Sequence, residues 1–218
     1  MELTTIDWLL LGLLVWSGAL VQGALGFGLA VIAAPFLLMI DPQLVPGPTL
    51  YFALVSALTT FWWNRRGIVL GELGLAFIAR IPGTLLAMAL LLVASVDLLA
   101  ILLGASVLLA VLVSIRTPQV RRTRPLLVLA GFMAGFMGTA TSIAGPPMAL
   151  VYQSADGAEM RANLAAFLIL GLIMSLLGLV AIGHITRDQV EVSLLLTAPV
   201  IAGALAGRWV SLHLRPTW

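Results

Sequence analysis

Two very long uncharged runs dominate the pattern of hydrophobic and polar positions along this chain. They cover residues 8–40 and 125–155. As one continuous helix the first run would be about 50 Å long, whereas the hydrocarbon core of a bilayer is about 30 Å thick. Both runs contain several glycines and a proline, the residues that interrupt helices. Each run therefore predicts two helical pieces joined at a break.

The two breaks share one spacing pattern. The pattern G-x-x-G-x₈-P begins at Gly23 and again at Gly135, 112 residues later. Interrupted hydrophobic segments at matching positions of two halves are typical of secondary transporters, whose substrate sites lie at such breaks. We therefore predict a single transmembrane domain over residues 1–218, built from one repeat at about 8–115 and a second at about 125–214.

Shorter apolar segments complete the predicted helices. They lie at about residues 48–63, 73–94, 98–115, 162–182 and 192–214. The basic stretch 116–124, which holds four arginines and one proline, is the predicted linker between the repeats. The second repeat lacks a counterpart of segment 98–115, so it is one helix short. This expectation leaves room for a partner subunit, such as a second copy of the chain.

The arginines test how the long runs cross the membrane. If each run crosses once, the arginines of the loops divide seven to three between the two sides. If each run is a re-entrant hairpin, they divide nine to one, with Arg187 alone on its side and Arg80 inside the membrane. The positive-inside rule favours the second arrangement. The sequence thus predicts an all-α polytopic membrane protein with two inverted repeats, each opening with a broken, re-entrant helix hairpin.

Composition excludes a soluble domain. The chain is 61% hydrophobic and 9% charged, with a mean hydropathy of +1.15, which a soluble protein cannot present to water. Its eleven basic residues are all arginines beside hydrophobic segments, so we interpret them as topology signals and expect no nucleic-acid partner. The mildly acidic N-terminus, with no basic region, predicts no cleaved signal peptide.

The residue inventory points away from an enzyme. The chain has no cysteine, and its two histidines lie at the ends of different segments. No grouping has the spacing of a nucleophile with its base or of metal ligands. We predict no catalytic residue, no metal and no cofactor. Two alternatives to a permease remain, a passive anion channel and a membrane subunit of a larger complex.

The second break carries the chemistry of an anion site. A returning half-helix would present free N–H groups and the positive end of its dipole inside the membrane. Thr139, Thr141 and Ser142 add hydroxyl donors there, and Pro146 suits the first helical turn. The first break offers only Gln22 as a polar neighbour. We therefore expect most polar contacts to come from the second repeat.

Arg80 is the charge predicted to lie deepest in a hydrophobic segment. It follows Glu72 by eight residues and precedes Pro82 by two. Intramembrane charges commonly serve function, and a guanidinium matches the oxygens of a carboxylate or another oxyanion. The sequence equally allows Arg80 to pair with Glu72 or to extend towards the membrane surface. Both interpretations stay open at this point.

The motifs resemble those of a known family. Residues 21–28, VQGALGFG, leading to Pro35, resemble the first signature of the sulfite exporter TauE/SafE family, and residues 135–147 resemble the second. The resemblance implies a multi-pass permease of the bacterial inner membrane that moves sulfite, an organosulfonate or a related sulfur-containing or carboxylate anion by alternating access. Its partners would be this small anion and the lipid bilayer. The predicted substrate-binding residues are Gln22, Gly23, Gly26, Phe27, Gly28, Arg80, Thr139, Thr141, Ser142, Gly145 and Pro146.

Overall fold

The structure is a computed structural model that describes residues 3–64, 70–116, 121–155 and 157–213. Within these ranges the chain forms α-helices and one 3-10 turn, Pro42–Leu44, and it forms no β-strand. The helices are α1 (Thr5–Leu25), α2 (Leu29–Ile40), α3 (Gly47–Asn64), α4 (Leu70–Leu91), α5 (Val96–Arg116), α6 (Arg124–Thr141), α7 (Gly145–Tyr152), α8 (Gly157–Ala181), α9 (Arg187–Leu195) and α10 (Thr197–His213).

Several of these helices are long and apolar enough to cross a membrane. In the described part of the chain, five meet this condition: α1, α3, α4, α6 and α8. A sixth span arises if α9 and α10, which meet at a bend of 46°, are counted together. The prediction of an all-helical protein with several membrane-spanning segments is confirmed.

Both long runs break where the glycine pattern places the interruption. α1 ends at Gly26, and the connection to α2 uses positive φ angles of 91° at Gly26 and 123° at Gly28, which favour glycine. α6 ends at Thr141, and the φ of 65° at the following residue, Ser142, is also left-handed. The second limbs are short, with 12 residues in α2 and 8 in α7. They reach only about 18 and 12 Å, too little to cross the bilayer alone.

Two helix pairs pack backbone against backbone. α1 lies on α10, where a Cβ atom added at Gly207 would overlap the carbonyl oxygen of Leu20. α4 lies on α6, where a Cβ at Gly83 would overlap the carbonyl oxygen of Phe132. Leu20 and Phe132 are 112 residues apart, the same displacement that relates the two glycine patterns. Small residues permit this close approach of membrane helices, and each of the two contacts joins one helix of the first repeat to one of the second.

A second pair of contacts extends the correspondence. A Cβ at Gly23 would overlap the carbonyl oxygen of Ala204, and one at Gly135 would overlap that of Arg80. The contacts therefore match Arg80 of α4 with Ala204 of α10. α3 and α8, one from each half, pack against each other between the two pairs.

Two polar contacts join connections that are distant in sequence. Arg122, just before α6, forms an ion pair of 2.8 Å with Glu159 in the first turn of α8. Gln189, in the first turn of α9, donates from Nε2 to the carbonyl oxygen of Gln43 at 2.8 Å. The first contact brings the start of α6 to the start of α8. The second brings the end of α2 to the start of α9.

The last predicted segment, 192–214, differs in the structure. The helical region begins at Arg187, because Thr186 and Gln189 form a reciprocal capping box at its N-terminus. The helix then ends at Leu195 and restarts at Thr197. Pro199, in the first turn of α10, has no N–H to donate back across this bend. Residue 214 lies outside the described part.

The glycine contacts predict unequal effects of a single added methyl group. Gly83→Ala forces α4 away from the backbone of α6, and we expect a loss of about 1–3 kcal/mol of unfolding free energy. Gly104→Ala on α5 is the matched control, because a Cβ there meets nothing within 4 Å. Thermal unfolding in detergent measures both. Equal melting temperatures for the two variants would contradict the close packing.

Candidate functional site

The two breaks meet at a small cavity, which we call the break cavity. Its volume is about 20 Å³, room for about one water molecule. Phe27 of the first break packs directly on Gly145 of the second, where a Cβ atom would overlap the Phe27 side chain. The cavity is lined by Gln22, Phe27, Gly28, Ala30, Val31, Ala53, Ser142, Ile143, Ala144, Gly145, Leu168 and Leu172.

Polar side chains of the break cavity hold the broken backbone in place. Gln22 donates from Nε2 to the carbonyl oxygen of Ala53 at 2.8 Å, and its Oε1 accepts from the N–H of Leu29 at 3.3 Å. Ser142 donates from Oγ to the carbonyl oxygen of Pro46 at 3.1 Å. Gln22 therefore satisfies an N–H group at the start of α2 that has no partner within that helix, and Ser142 joins the second break to the chain just before α3.

The N-terminus of α7 offers fewer donors than a typical helix start. Two of its first three residues, Pro146 and Pro147, have no N–H group. At α2 the N–H of Leu29 is taken by Gln22. The helix ends of this cavity therefore supply less positive potential from free N–H groups than two ordinary N-termini would.

Arg80 is buried between α4, α6 and α8. Its side chain is 0% exposed, and it is the only charged residue that is fully buried in the described part of the chain. The side chain therefore does not extend to the membrane surface. The side chain of Glu72, the other candidate partner, lies outside the described residues.

The surroundings of the Arg80 guanidinium satisfy it only in part. Nη2 donates to Ser175 Oγ at 3.5 Å, and the guanidinium carbon lies 5.1 Å from the centre of the Phe167 ring. Nε and Nη1 are buried and have no hydrogen-bond partner among the described residues. A buried guanidinium with unmet donors is costly in a medium of low dielectric constant. These two nitrogens are thus the strongest unmet demand for an acceptor in the site.

Three hydroxyl groups stand next to this cation. Thr139 of α6 lies 2.8 Å from Ser175 of α8 and 3.3 Å from Thr84 of α4, measured between hydroxyl oxygens. Ser175 donates to the carbonyl oxygen of Gly171 at 2.9 Å. We call Arg80, Thr84, Thr139 and Ser175 the Arg80 cluster. It combines one positive charge with hydroxyl groups that can donate to an anion after reorienting.

A glycine alone stands between the Arg80 cluster and the break cavity. A Cβ atom added at Gly138 would lie 3.2 Å from Arg80 Nη2 and 2.6 Å from the Cβ of Ala144. Ala144 lines the break cavity. The two polar centres are therefore neighbours, and the absence of a side chain at Gly138 keeps them so.

The structure divides the predicted site residues among several places. Gln22, Phe27, Gly28, Ser142 and Gly145 line the break cavity, and Arg80 and Thr139 belong to the Arg80 cluster. Thr141 faces α5, bonded to Ser106 and to the carbonyl oxygen of Met137. Gly23 and Gly26 pack against Ala204 and Arg161. Pro146 lies in the first turn of α7.

Sequence analysis missed Thr84, Phe167, Gly171 and Ser175. Thr84 lies one turn after Arg80 on α4, and the other three are spaced four apart on α8, so each set shares a helix face. This spacing was the available signal. Its significance depends on the packing of α4 against α8, which the sequence does not reveal.

The architecture defines a class. The chain is an all-helical, multi-pass membrane protein in which two interrupted helices meet beside a buried cation. It belongs to the sulfite exporter TauE/SafE family, whose model matches residues 9–218. This confirms the resemblance seen in the motifs and makes the chain a membrane transport protein. No curated protein and no solved structure matches the chain.

The position of Gly171 predicts a selective effect on the Arg80 cluster. A methyl group there would overlap the Arg80 guanidinium, so in Gly171→Ala the guanidinium must leave Ser175. With labelled sulfite, the anion in the family's name, as the probe, we expect transport in proteoliposomes to need at least about tenfold more of the probe, since a charge-assisted hydrogen bond is lost.

The matched control is Gly178→Ala on the same helix. A Cβ at Gly178 meets the thioether end of Met88, which is flexible and can move aside. We expect near-normal transport at equal expression. If both variants lose the same amount of transport, the effect belongs to general packing of α8 and not to Arg80.

Proposed function

We propose that this protein is a permease that carries a small anion across the bacterial inner membrane, with Arg80 as the anchoring charge. The anion is sulfite, an organosulfonate, or a related sulfur-containing or carboxylate anion. The observation that supports this most is the full burial of Arg80 with two guanidinium nitrogens unmet. An anion entering the cluster would remove that deficit, which gives binding a direct physical cause.

The proposal assigns different tasks to the two polar centres. The Arg80 cluster supplies charge and hydroxyl donors for the anion. The break cavity, with Phe27 packed on Gly145, forms a closed contact between the two halves. A cavity of about 20 Å³ is too small for an oxyanion of sulfur, so this contact must open for passage. A contact that closes around the path supports a carrier over a permanently open channel.

The proposed topology is two inverted repeats, each opening with a re-entrant hairpin. The ion pair of Arg122 with Glu159 supports it, because the chain then enters α6 and leaves α7 on one side of the membrane. The hydrogen bond between Gln189 and Gln43 supports the same hairpin for α6 and α7, because α3, α4, α5 and α8 then bring both residues to one side of the membrane. A single crossing by each run would put the partners of both contacts on opposite sides.

Alternating access follows naturally from this arrangement. When two inverted repeats exchange conformations, a transporter that is open to one side of the membrane becomes open to the other side. The glycine contacts of α1 with α10 and of α4 with α6 form two equivalent tightly packed units, each with one helix from each repeat. Relative movement of these units would open the contact of Phe27 with Gly145 towards one side at a time.

Cysteine labelling tests the topology, and the natural chain contains no cysteine to interfere. We expect single cysteines introduced in Gln43→Cys and Gly157→Cys variants to react with an impermeant maleimide from opposite sides of the membrane. Arg187→Cys should react from the same side as Gln43→Cys, which provides the internal control. Labelling of positions 43 and 157 from the same side would overturn the inverted arrangement.

Substitution of Arg80 tests the anchoring charge. Arg80→Gln removes the charge, and we expect nearly complete loss of sulfite transport by purified protein in liposomes. Arg80→Lys keeps the charge but not the planar set of donors, so we expect apparent affinity to fall by about tenfold or more. Both variants need to insert and to remain folded at wild-type levels. Unchanged affinity in both would limit Arg80 to a structural role.

The same assay separates the permease from its alternatives. A bare membrane subunit would move no anion when purified alone, whereas a carrier needs no other protein. A passive channel would show no acceleration of labelled sulfite uptake by sulfite on the opposite side. We expect such acceleration, because a loaded carrier that exchanges substrate need not return empty.

A further inference from the structure

We infer that the Arg80 cluster selects oxyanions with a single negative charge and discriminates against doubly charged ones. This inference rests on the proposed function, and it specifies the charge of the substrate. The preferred ligands would be hydrogen sulfite and sulfonate monoanions, while sulfate and fully ionised sulfite would be disfavoured.

The charge balance of the site is the first argument. Arg80 supplies one positive charge, and no other charged residue is fully buried in the part of the chain that the structure describes. A monoanion bound there gives a neutral pair. A dianion leaves one uncompensated negative charge where water is scarce, and an unpaired charge in such a medium is very costly.

Among the residues that the structure describes, the neighbours of Arg80 offer no second charge. On α6, Arg80 lies against Gly135 and Gly138. Thr139 of the same helix is linked to Arg80 only through Ser175. On α8, the contacts of Arg80 are Phe167, Gly171 and Ser175. None of these described residues is titratable, so a change of pH near neutrality does not alter the charge that they present.

The other half of the molecule does not supply a matching cation. The position that packs on Gly23 as Arg80 packs on Gly135 is Ala204. The two halves therefore present one arginine between them at these equivalent contacts. The anion site is charged on one side only, which suits a ligand with a single negative charge.

The hydroxyl groups fit the same kind of ligand. Thr84, Thr139 and Ser175 lie within one hydrogen-bonded group beside the guanidinium, and all three are buried. Hydroxyls can donate to the oxygens of a sulfonate without adding formal charge. They can donate to ligand oxygens beside those that Arg80 binds, but they do not neutralise a second charge. Ser175 and Thr84 thus become determinants of specificity along with Arg80.

Competition in proteoliposomes tests this inference with two ligands of similar size. Methanesulfonate is a monoanion and sulfate a dianion at neutral pH, and each carries oxygens around a tetrahedral sulfur. With labelled sulfite as the transported probe, we expect methanesulfonate to inhibit at concentrations at least about tenfold lower than sulfate does. Lowering the pH equally on both sides should increase sulfite transport, because hydrogen sulfite replaces its dianion. The inhibition constant of methanesulfonate should stay unchanged, because methanesulfonate keeps its single charge.

The outcomes separate this inference from the proposed function. If sulfite is transported and sulfate inhibits as well as methanesulfonate does, charge selection is wrong while the permease stands. If no sulfite moves in wild-type protein, and neither ligand stabilises it against heat, the proposed function itself fails. The Thr84→Val variant, which keeps the charge of Arg80, extends the competition assay. Its affinity for methanesulfonate should fall, while sulfate should remain the weaker ligand. Equal affinity for both ligands in that variant would contradict selection by the single charge.

Discussion

A guanidinium that cannot reach water must be stabilised by what surrounds it, and this constraint organises the centre of the molecule. Arg80 is fully buried, and the described residues around it supply one distant acceptor, Ser175 Oγ, and the face of the Phe167 ring. A cation–π contact of this kind contributes about 0.5–2 kcal/mol, which is small beside the cost of removing a charge from water. The buried guanidinium therefore keeps a desolvation cost that its neighbours do not offset, and a bound anion would reduce that cost.

Glycine packing is what brings the cation to this depth. α4 can lie directly on the backbone of α6 because Gly83 and Gly135 have no side chains at the crossing. The same crossing is made by α1 and α10, with Ala204 in place of Arg80. Two similar scaffolds thus carry different chemistry. The polar centre belongs to one of them, and the other contributes Phe27 and Gln22 to the contact between the breaks.

The sequence predicted the elements better than their partners. Run length and glycine spacing were enough to locate the interruptions at Gly26 and Ser142, because those depend on local backbone preferences and on membrane thickness. Arg80 was found by its depth in an apolar segment. Thr84 and Ser175 were not found, since a hydroxyl on a membrane helix commonly bonds its own backbone and only tertiary packing assigns it elsewhere. The start of α9 at Arg187 was missed as well, although the capping residues Thr186 and Gln189 were visible in the chain, and so was the restart at Thr197.

The close fit of Gly171 against the Arg80 guanidinium has a consequence for how the family can diverge. Position 171 tolerates no Cβ while position 80 carries arginine in this conformation. A relative that replaces the arginine with a small residue frees that space, and natural selection then no longer holds glycine at the second position. The two positions should therefore covary through evolution, and the residue at 171 would report whether a given member retains the buried charge.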